Sequence, residues 1–452
     1  MSREFRDINR KAKFLFPESV DEWLPEDHLA RFVVELVDSL DVHAIESAYR
    51  KGGVAAYHPR MLLSLIFYGY ATGVFSSRKI ERATYDSVAF RYIAVNMHPD
   101  HDTISNFRKR FLPQLGSLFT QILLMANQVG CLKLGTVSID GTKVHANASK
   151  HSAMSYDHAC ELEKRLRSEM EELLKMAEEA DNTQLPEELD IPEELSRRSK
   201  RIAAIQEAKQ EIQRRTSDRY EQEKKEYEEK LKARAKRGQE TGKKSRGRTP
   251  AAPKGPEPRA KDQVNLTDGD SRIMPISGGG FEQCFNAQAA VDNKSLLVVV
   301  SDVTQKPNDR QELIPVLKAI DQLPEDLPKV QKILADAGYY SETNVEACED
   351  RNITPFIALG RMPHNPGIPE RFTGPEPETA ERATERMKNR LKSKEGRKIF
   401  SRRKCTIEPI FGIIKNVLGF RQFLFRGLEA VRCEWQLVCL SWNIKRLHVL
   451  MR

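Results

Sequence analysis

Gly135-Thr-Val-Ser-Ile-Asp140-Gly141 is a short apolar run that stops on a carboxylate. A second run, Val330-Gln-Lys-Ile-Leu-Ala-Asp336, ends the same way and is followed by Ala337-Gly338-Tyr339-Tyr340. A third acid, Glu408, stands in Cys405-Thr-Ile-Glu408-Pro-Ile-Phe-Gly-Ile-Ile-Lys415, which reads as a helix. Both runs read as strands. A side chain at the C-terminal end of a parallel strand opens into the crevice where α/β proteins bind ligands. Taken singly, an Asp after a strand is ordinarily a turn or cap residue, and Asp292 and Asp302 are assigned to turns on that ground. Glu408 is unlike an ordinary solvated Glu because Ile407 and Pro409-Ile410-Phe411 flank it. A charge embedded there is costly unless something needs it.

Working outward, residues 1–130 read as an all-α domain. Asp27 to Leu40 carries apolar residues at helical spacing, a second helix follows Pro59, and further helices start near Ser76 and Ser87. The last begins near Asp102, an expected N-cap, and carries Arg108, Lys109 and Arg110. Short helices ending in a basic one suit a helix-turn-helix-like DNA-binding unit, and equally a plain helical domain with a solvated basic face. Residues 157–236 hold an apolar seam of Leu162, Leu166, Met170 and Leu173, resumed by Ile202, Ile205 and Ile212 amid dense charge. Two long helices packed antiparallel as a coiled coil are the simplest solution. Residues 237–264 read as a disordered basic Pro/Gly-rich linker.

Beyond it, Phe285–Asp292 and Leu296–Asp302 read as a hairpin turning at Asn293-Lys294-Ser295, Asn308-Asp309 as the cap of a helix, and 361–400 as a basic, Pro-rich crossing. With the insertion set aside, residues 131–156 and 265–452 follow the element order of an RNase H-like core. In that core the strands ending at Asp140 and Asp336 are neighbours, and the helix of Glu408 closes the site from one side. The fold expected is therefore an α/β RNase H-like catalytic core with an N-terminal all-α domain and a long helical coiled-coil insertion.

Close carboxylates repel, and a bound cation reverses the repulsion. Mg²⁺ prefers such hard oxygen ligands, and Mn²⁺ substitutes on the same set. Two ions about 3.5–4 Å apart activate an attacking oxygen and stabilise a leaving one at phosphorus. The chain has 452 residues and a net charge of +8, which favours polyanions and chiefly nucleic acid. Lys415 stands two helical turns beyond Glu408, and Arg402, Arg403 and Lys404 precede it; all are candidates for phosphate contacts. Seven cysteines form no C-x-x-C pair, so neither a disulfide framework nor a zinc site is expected. The opening Met-Ser-Arg-Glu-Phe-Arg lacks a signal-peptide core, and no stretch suits a bilayer. A soluble protein of the cytoplasm, associated with the nucleoid and without membrane contact, is expected.

Several segments together resemble the DDE-class transposases of bacterial insertion sequences. They are Asp102-Thr-Ile-Ser-Asn-Phe-Arg-Lys, Ile139-Asp-Gly-Thr-Lys-Val-His-Ala-Asn147, Gln263-Val-Asn-Leu-Thr-Asp-Gly-Asp-Ser-Arg272, Phe285–Asp292, Ala335-Asp-Ala-Gly-Tyr339 and Thr406–Lys415. The resemblance implies that Asp140, Asp336 and Glu408 form a metal-binding catalytic Asp-Asp-Glu triad. It also implies that the N-terminal unit recognises the terminal inverted repeats, and that a homodimer or larger synaptic complex joins element ends to target DNA. In the family's third motif a Tyr and an Arg precede the Glu; here Phe400 takes the place of the Tyr, and Arg403 or Lys404 that of the Arg. The alternatives are a catalytically inactive, transposase-derived DNA-binding protein and a simple metal-dependent nuclease.

Overall fold

The computed structural model describes residues 19–49, 56–179, 190–241, 249–276, 278–360 and 382–452. They form two compact units, one of residues up to Val144 and from Asn286 onward, the other of His145–Phe285.

The first unit opens with helices α1 (Leu29–Ser39), α2 (His43–Glu46), α3 (Pro59–Thr72), α4 (Ser77–Asp86), α5 (Val88–Ile93), α6 (His101–Phe111) and α7 (Leu115–Gln128), then strand β1 (Thr136–His145). Helix α1 buries Ala30, Val33, Leu36 and Val37 at the spacing read from the sequence. Pro59 starts α3, and Gly73, at φ 85°, ends it in the left-handed conformation that glycine adopts without strain. The cap of α6 is Asp100, whose Oδ1 accepts from Thr103 N at 2.7 Å, and not Asp102, which lies inside the first turn.

The second unit holds β2 (Ala153–Ser155), α8 (Tyr156–Glu179), α9 (Ile191–Thr241), β3 (Gln263–Asn265), β4 (Arg272–Pro275) and the start of β5 (Phe281–Asp292). Leu162 and Leu166 of α8 pack with Ile202 and Ile205 of α9, on Met154 and Ala159. Glu163 accepts from Gln206 at 3.1 Å and Lys209 at 2.9 Å, whereas Glu169 pairs with Arg198 at 3.0 Å. The helices therefore run antiparallel. Helix α9 continues to Thr241, so 237–241, expected in the linker, is helical. Residues 242–248 of that linker lie outside the described residues. Its end is tied down: Arg219 of α9 makes a two-pronged ion pair with Asp262, at 2.8 and 2.9 Å. The unit also takes in residues 145–156 and 265–285, expected with the sheet, because β2 pairs with β3 beside the helices. Its two ends meet, Ala146 N donating to Gln283 O at 2.8 Å.

The first unit resumes along β5 and continues with β6 (Val298–Thr304), α10 (Leu313–Asp321), β7 (Lys332–Ala335), α11 (Glu342–Glu349), β8 (Thr354–Ile357), α12 (Ala383–Lys392), α13 (Lys394–Ser401), α14 (Ile407–Gly412) and α15 (Leu428–Leu450). Of the expected crossing at 361–400, residues 361–381 lie outside the described residues, and the described remainder is largely helical. Among the described residues the sheet has six strands in the order β4-β5-β1-β7-β8, with β6 pairing β5 off this path. Strands β1, β7 and β8 run parallel, and β5 and β6 antiparallel to each other. Asp292 is a turn residue, its Oδ2 accepting from Ser295 N and Oγ at 2.9 and 2.6 Å. Asp302 is not: it lies within β6, opposite Gln288, and pairs with Arg432 at 3.0 Å.

Helix α15 is apolar around most of its surface, which marks a helix buried on several sides. It packs on β6 and on α3 and α7, and its polar groups find sheet partners. Trp435 Nε1 donates to Gln288 O at 2.9 Å, and the Asn443 amide bonds both Val298 N and Val298 O at 2.7 Å. The N-terminal helices thus share a core with the sheet through α15. Among the described residues no helix is long and apolar enough to cross a membrane.

Candidate active site

The register Thr136↔Lys332, Val137↔Ile333, Ser138↔Leu334 joins β1 to β7. Carried on by two residues, it aligns Asp140 with Asp336. Asp336 is the cap of the turn that follows β7, its Oδ1 accepting from Gly338 N at 2.8 Å. Glu408 comes from the far end of the chain. Thr406 Oγ1 donates to Ser138 Oγ on β1 at 2.9 Å, and Ile407 and Ile410 are buried, so α14 is fastened to the sheet just before and after the acid. Glu408 itself faces outward, its side chain 46 % exposed. Of the apolar neighbours that suggested an embedded charge, Ile407, Ile410 and Phe411 turn to the core, while Pro409 and the carboxylate stay in solvent.

Arg403 joins the acids. Its Nη1 lies 3.2 Å from Asp140 Oδ2 and its Nη2 3.0 Å from Glu408 Oε1, with only 13 % of its side chain exposed. Burial pushes the Asp140 carboxyl from its ordinary 3.8 up to about 7, the Arg403 guanidinium pulls it back, and the carboxylates of Asp336 and Asp309 push it up further.

Asn308-Asp309 was expected to cap a helix; Asn308 is the N-cap of the turn Asp309–Gln311 that leads into α10, and the Asp309 side chain faces the site, its Oδ1 accepting from Asn286 Nδ2 at 2.7 Å and Gln288 Nε2 at 2.8 Å. Gln288 Oε1 in turn accepts from the buried Tyr339 hydroxyl. The signal for this arrangement is in β5, where Asn286 and Gln288 fall two apart on one buried face and so require polar partners.

The basic candidates divide. Arg108 is not on a solvated face: it is 8 % exposed and donates to Tyr70 Oη at 3.0 Å, Phe75 O at 2.8 Å and Ser77 Oγ at 3.3 Å. It belongs to a buried network in which Glu434 Oε1 accepts from Tyr70 Oη at 3.2 Å and Glu434 Oε2 from the amides of Leu424 and Phe425. Lys109, Arg110, Arg402 and Lys404 are exposed. Lys415 is half-buried in a π-helical turn, Ile413–Val417, and its Nζ donates to Lys143 O on β1 at 2.5 Å. That widened turn breaks the two-turn α-helical spacing assumed between Glu408 and Lys415.

Carboxylate oxygens are the donor set that Mg²⁺ and Mn²⁺ prefer. Among the described residues, no three His, Cys, Asp or Glu side chains stand close enough to ligate one ion. Arg403 holds the point between Asp140 and Glu408 as a cationic stand-in, so the donor set fits a divalent ion in kind, with a guanidinium as its competitor.

The fold is a mixed α/β one, helical at its N-terminal end and built on a sheet toward its C-terminal end. Residues 255–444 match the family described as Transposase DDE domain, and residues 18–110 the family described as Transposase domain (DUF772). Together the two matches indicate an insertion-sequence transposase of the DDE type. Asp336 and Glu408 lie within the first match; Asp140 lies outside both, on the other side of α8 and α9. No curated protein and no solved structure matches the chain. DDE transposases generally use divalent metal ions and act on DNA.

Proposed function

We propose that this transposase binds the terminal inverted repeats of its element, cleaves the DNA there to free a 3′-hydroxyl, and joins that hydroxyl to target DNA. Asp140, Asp336 and Glu408 are its catalytic acids, in a core whose strand order, antiparallel strands beside three parallel ones with β1 in the middle, suits an RNase H-like fold. The observation that carries the reading is the alignment of Asp140 with Asp336 on adjacent parallel strands, with Glu408 tied to Asp140 through Arg403.

Asp140 and Asp336 would hold the divalent cation between β1 and β7, and Glu408 would complete the set from α14. When bound, Mg²⁺ or Mn²⁺, one ion or two, supplies the Lewis acidity for in-line displacement at phosphorus. The remaining work falls to the chain. Arg403 balances the negative charge of Asp140 and Glu408 before DNA arrives, and on release from Glu408 its fork suits a phosphate. Arg402, Lys404 and Lys415 would steady the DNA backbone near the acids, and Lys109 and Arg110 the end sequence. A dimer or larger synapse brings two ends together, and α8 with α9 is the candidate contact; the idea fails if deleting 157–236 leaves synapsis and end binding intact.

The test is cleavage of DNA carrying the flanking element ends, with Mg²⁺ or Mn²⁺, by wild type and by Asp140→Ala, Asp336→Ala and Glu408→Ala. Metal-dependent nicking at the ends that all three variants lose while retaining binding supports the reading. Specific binding without cleavage by wild type under both metals identifies a DNA-binding protein instead.

A further inference from the structure

We infer that helix α4 is the element that reads the DNA duplex, entering the major groove at the element end with Arg78 and Arg82 toward the base edges and Lys79 toward the backbone; the inference rests on the end recognition proposed above. At about 100° per residue, Tyr85, Arg78, Arg82, Asp86 and Lys79 fall in that order within an arc of about 120°. All five are exposed, the Arg82 side chain by 83 %. Ser77, Ile80 and Thr84 fill the opposite side and are buried. The major groove admits a helix presented in this way, and the arginine fork matches O6 and N7 of guanine. The acids of α4 leave the charge standing. Glu81 is turned aside, its Oε2 accepting from His101 N at 3.1 Å and lying 2.8 Å from His101 Nδ1. Asp86 pairs with Arg82 at 3.1 Å, but an ion pair this exposed is worth little, and a nucleic-acid acceptor replaces it readily.

Helix α6, the basic helix of the sequence, offers no equivalent face. Its Arg108 is buried. Arg110 donates to Ala48 O and lies over the rings of Tyr49 and Phe111, at 5.5 and 5.1 Å from their centroids. Beside these, α6 turns Asp102, Asn106 and Lys109 to solvent. One lysine and one anchored arginine suit contacts to the phosphate backbone, which position a duplex without reading it.

Two further observations fit α4 to this task. The Tyr85 ring, 56 % exposed, lies flat on His98, with centroids 3.8 Å apart and planes at 13°. His98 is fixed in turn, its Nδ1 3.1 Å from Thr84 Oγ1. An exposed ring so held is a rigid apolar surface for a thymine methyl. The start of α4 also abuts the segment that follows Lys415. A methyl on Gly73 would lie 2.7 Å from Leu418 O, and the Phe75 ring packs on that of Phe420 at 5.1 Å. Arg108 grips both sides: it donates to Phe75 O and Ser77 Oγ, and lies 4.9 Å over the ring of Phe425. A duplex seated on α4 therefore runs on toward Lys415 and the helix of Glu408.

The experiment is fluorescence-anisotropy titration of the full-length protein, without metal and at one fixed salt concentration, against two duplexes: DNA carrying a flanking element end, and the same sequence scrambled. The readout is the preference for the end, the Kd of the scrambled duplex over that of the end. In the double variant Arg78→Ala with Arg82→Ala this preference should fall by about tenfold or more, at an unchanged melting temperature because both side chains are exposed. Lys79→Ala and Lys109→Ala should weaken both duplexes alike and leave the preference as it is. A wild-type preference in the double variant overturns the inference and leaves end recognition standing. If the preference is lost in Lys109→Ala instead, α6 is the reader; if the double variant alters only the oligomeric state on sedimentation, α4 faces a second copy. A wild type that binds both duplexes equally removes end recognition and the inference together. Should the double variant fail to fold, Arg78→Lys and Arg82→Lys decide by the same ratio, since each keeps the charge and removes the fork.

Discussion

Replacing Gly141 by alanine tests the packing around Asp140 with a single methyl group. Gly141 does not have a positive φ, so the cost is one of space. The methyl would sit 2.2 Å from Gln288 Nε2, 2.6 Å from Asp309 Oδ1 and 2.9 Å from Asn286 Oδ1, against an ordinary contact of 3.4 Å or more. Each neighbour must retreat by half an ångström or more, and none is loose: Gln288 is held by Tyr339 and Asp309, and Asn286 by Lys306 and Asp309. Overpacking a tight core costs about 1–3 kcal/mol, and one buried hydrogen bond lost in the retreat adds about 1 kcal/mol. The expected destabilisation is about 3 kcal/mol. Urea unfolding measures it as a lower midpoint at constant slope. Gly135→Ala is the control, because a methyl there meets nothing within 4 Å, and it should stay within about 0.5 kcal/mol of wild type. A Gly141→Ala midpoint equal to that of the control would refute the described packing of Asn286, Gln288 and Asp309 against β1.

Burial pushes Asp140 and Glu434 each up to about 7, from 3.8 and 4.5, so the folded chain holds protons that the unfolded chain has released. Metal-free stability should therefore fall as pH rises from about 4 to about 7, by up to about 1.4 kcal/mol per pH unit for each acid. Asp140→Asn and Glu434→Gln should each flatten the slope of urea midpoints against pH, and an unchanged slope in either variant removes that acid from the account. Arg108→Ala should cost about 3–5 kcal/mol, because it strips the cation from a buried network containing Glu434, whereas Lys109→Ala should leave the melting temperature within a degree or so; equal melting curves would return Arg108 to the surface. Ile205→Ala, at a position 1 % exposed between α8 and α9, should cost about 2–5 kcal/mol locally. Hydrogen exchange should show faster opening of both helices, and unchanged protection would contradict the described seam.

The parts of this molecule that local patterns encode were legible. Two apolar runs stopping at Asp gave β7 and the first half of β1, although β1 continues past Asp140 to His145. The seam of Leu162, Leu166, Ile202 and Ile205 announced the helical pair. What escaped was set by contacts distant in sequence. Asn308 is the cap its residue type suggests, but only the amides of Asn286 and Gln288, from another strand, pull the Asp309 side chain toward the acids. Arg108 shares a basic run with Lys109 and Arg110, yet helix geometry turns it inward, where Tyr70, Phe75 and Ser77 provide acceptors. Glu408 was expected to be embedded because its sequence neighbours are apolar, but on a helix adjacent residues point in different directions. Arg403 and Lys404 were indistinguishable by composition; the fork between Asp140 and Glu408 separates them.

The meeting of Ala146 with Gln283, where the helical unit departs and returns, has a consequence for the chain's birth. At ordinary synthesis rates, β5 leaves the ribosome on the order of ten seconds after β1. During that interval β1 has neither of its final neighbours, and an unpaired strand edge is a site for wrong partners. Helices α8 and α9 meet through contacts near in sequence, which form on far shorter timescales. Folded first, they turn a long open excursion into a clasp that delivers β5 to β1, and disturbing their seam should reduce the yield of correctly folded chains before it touches any chemistry.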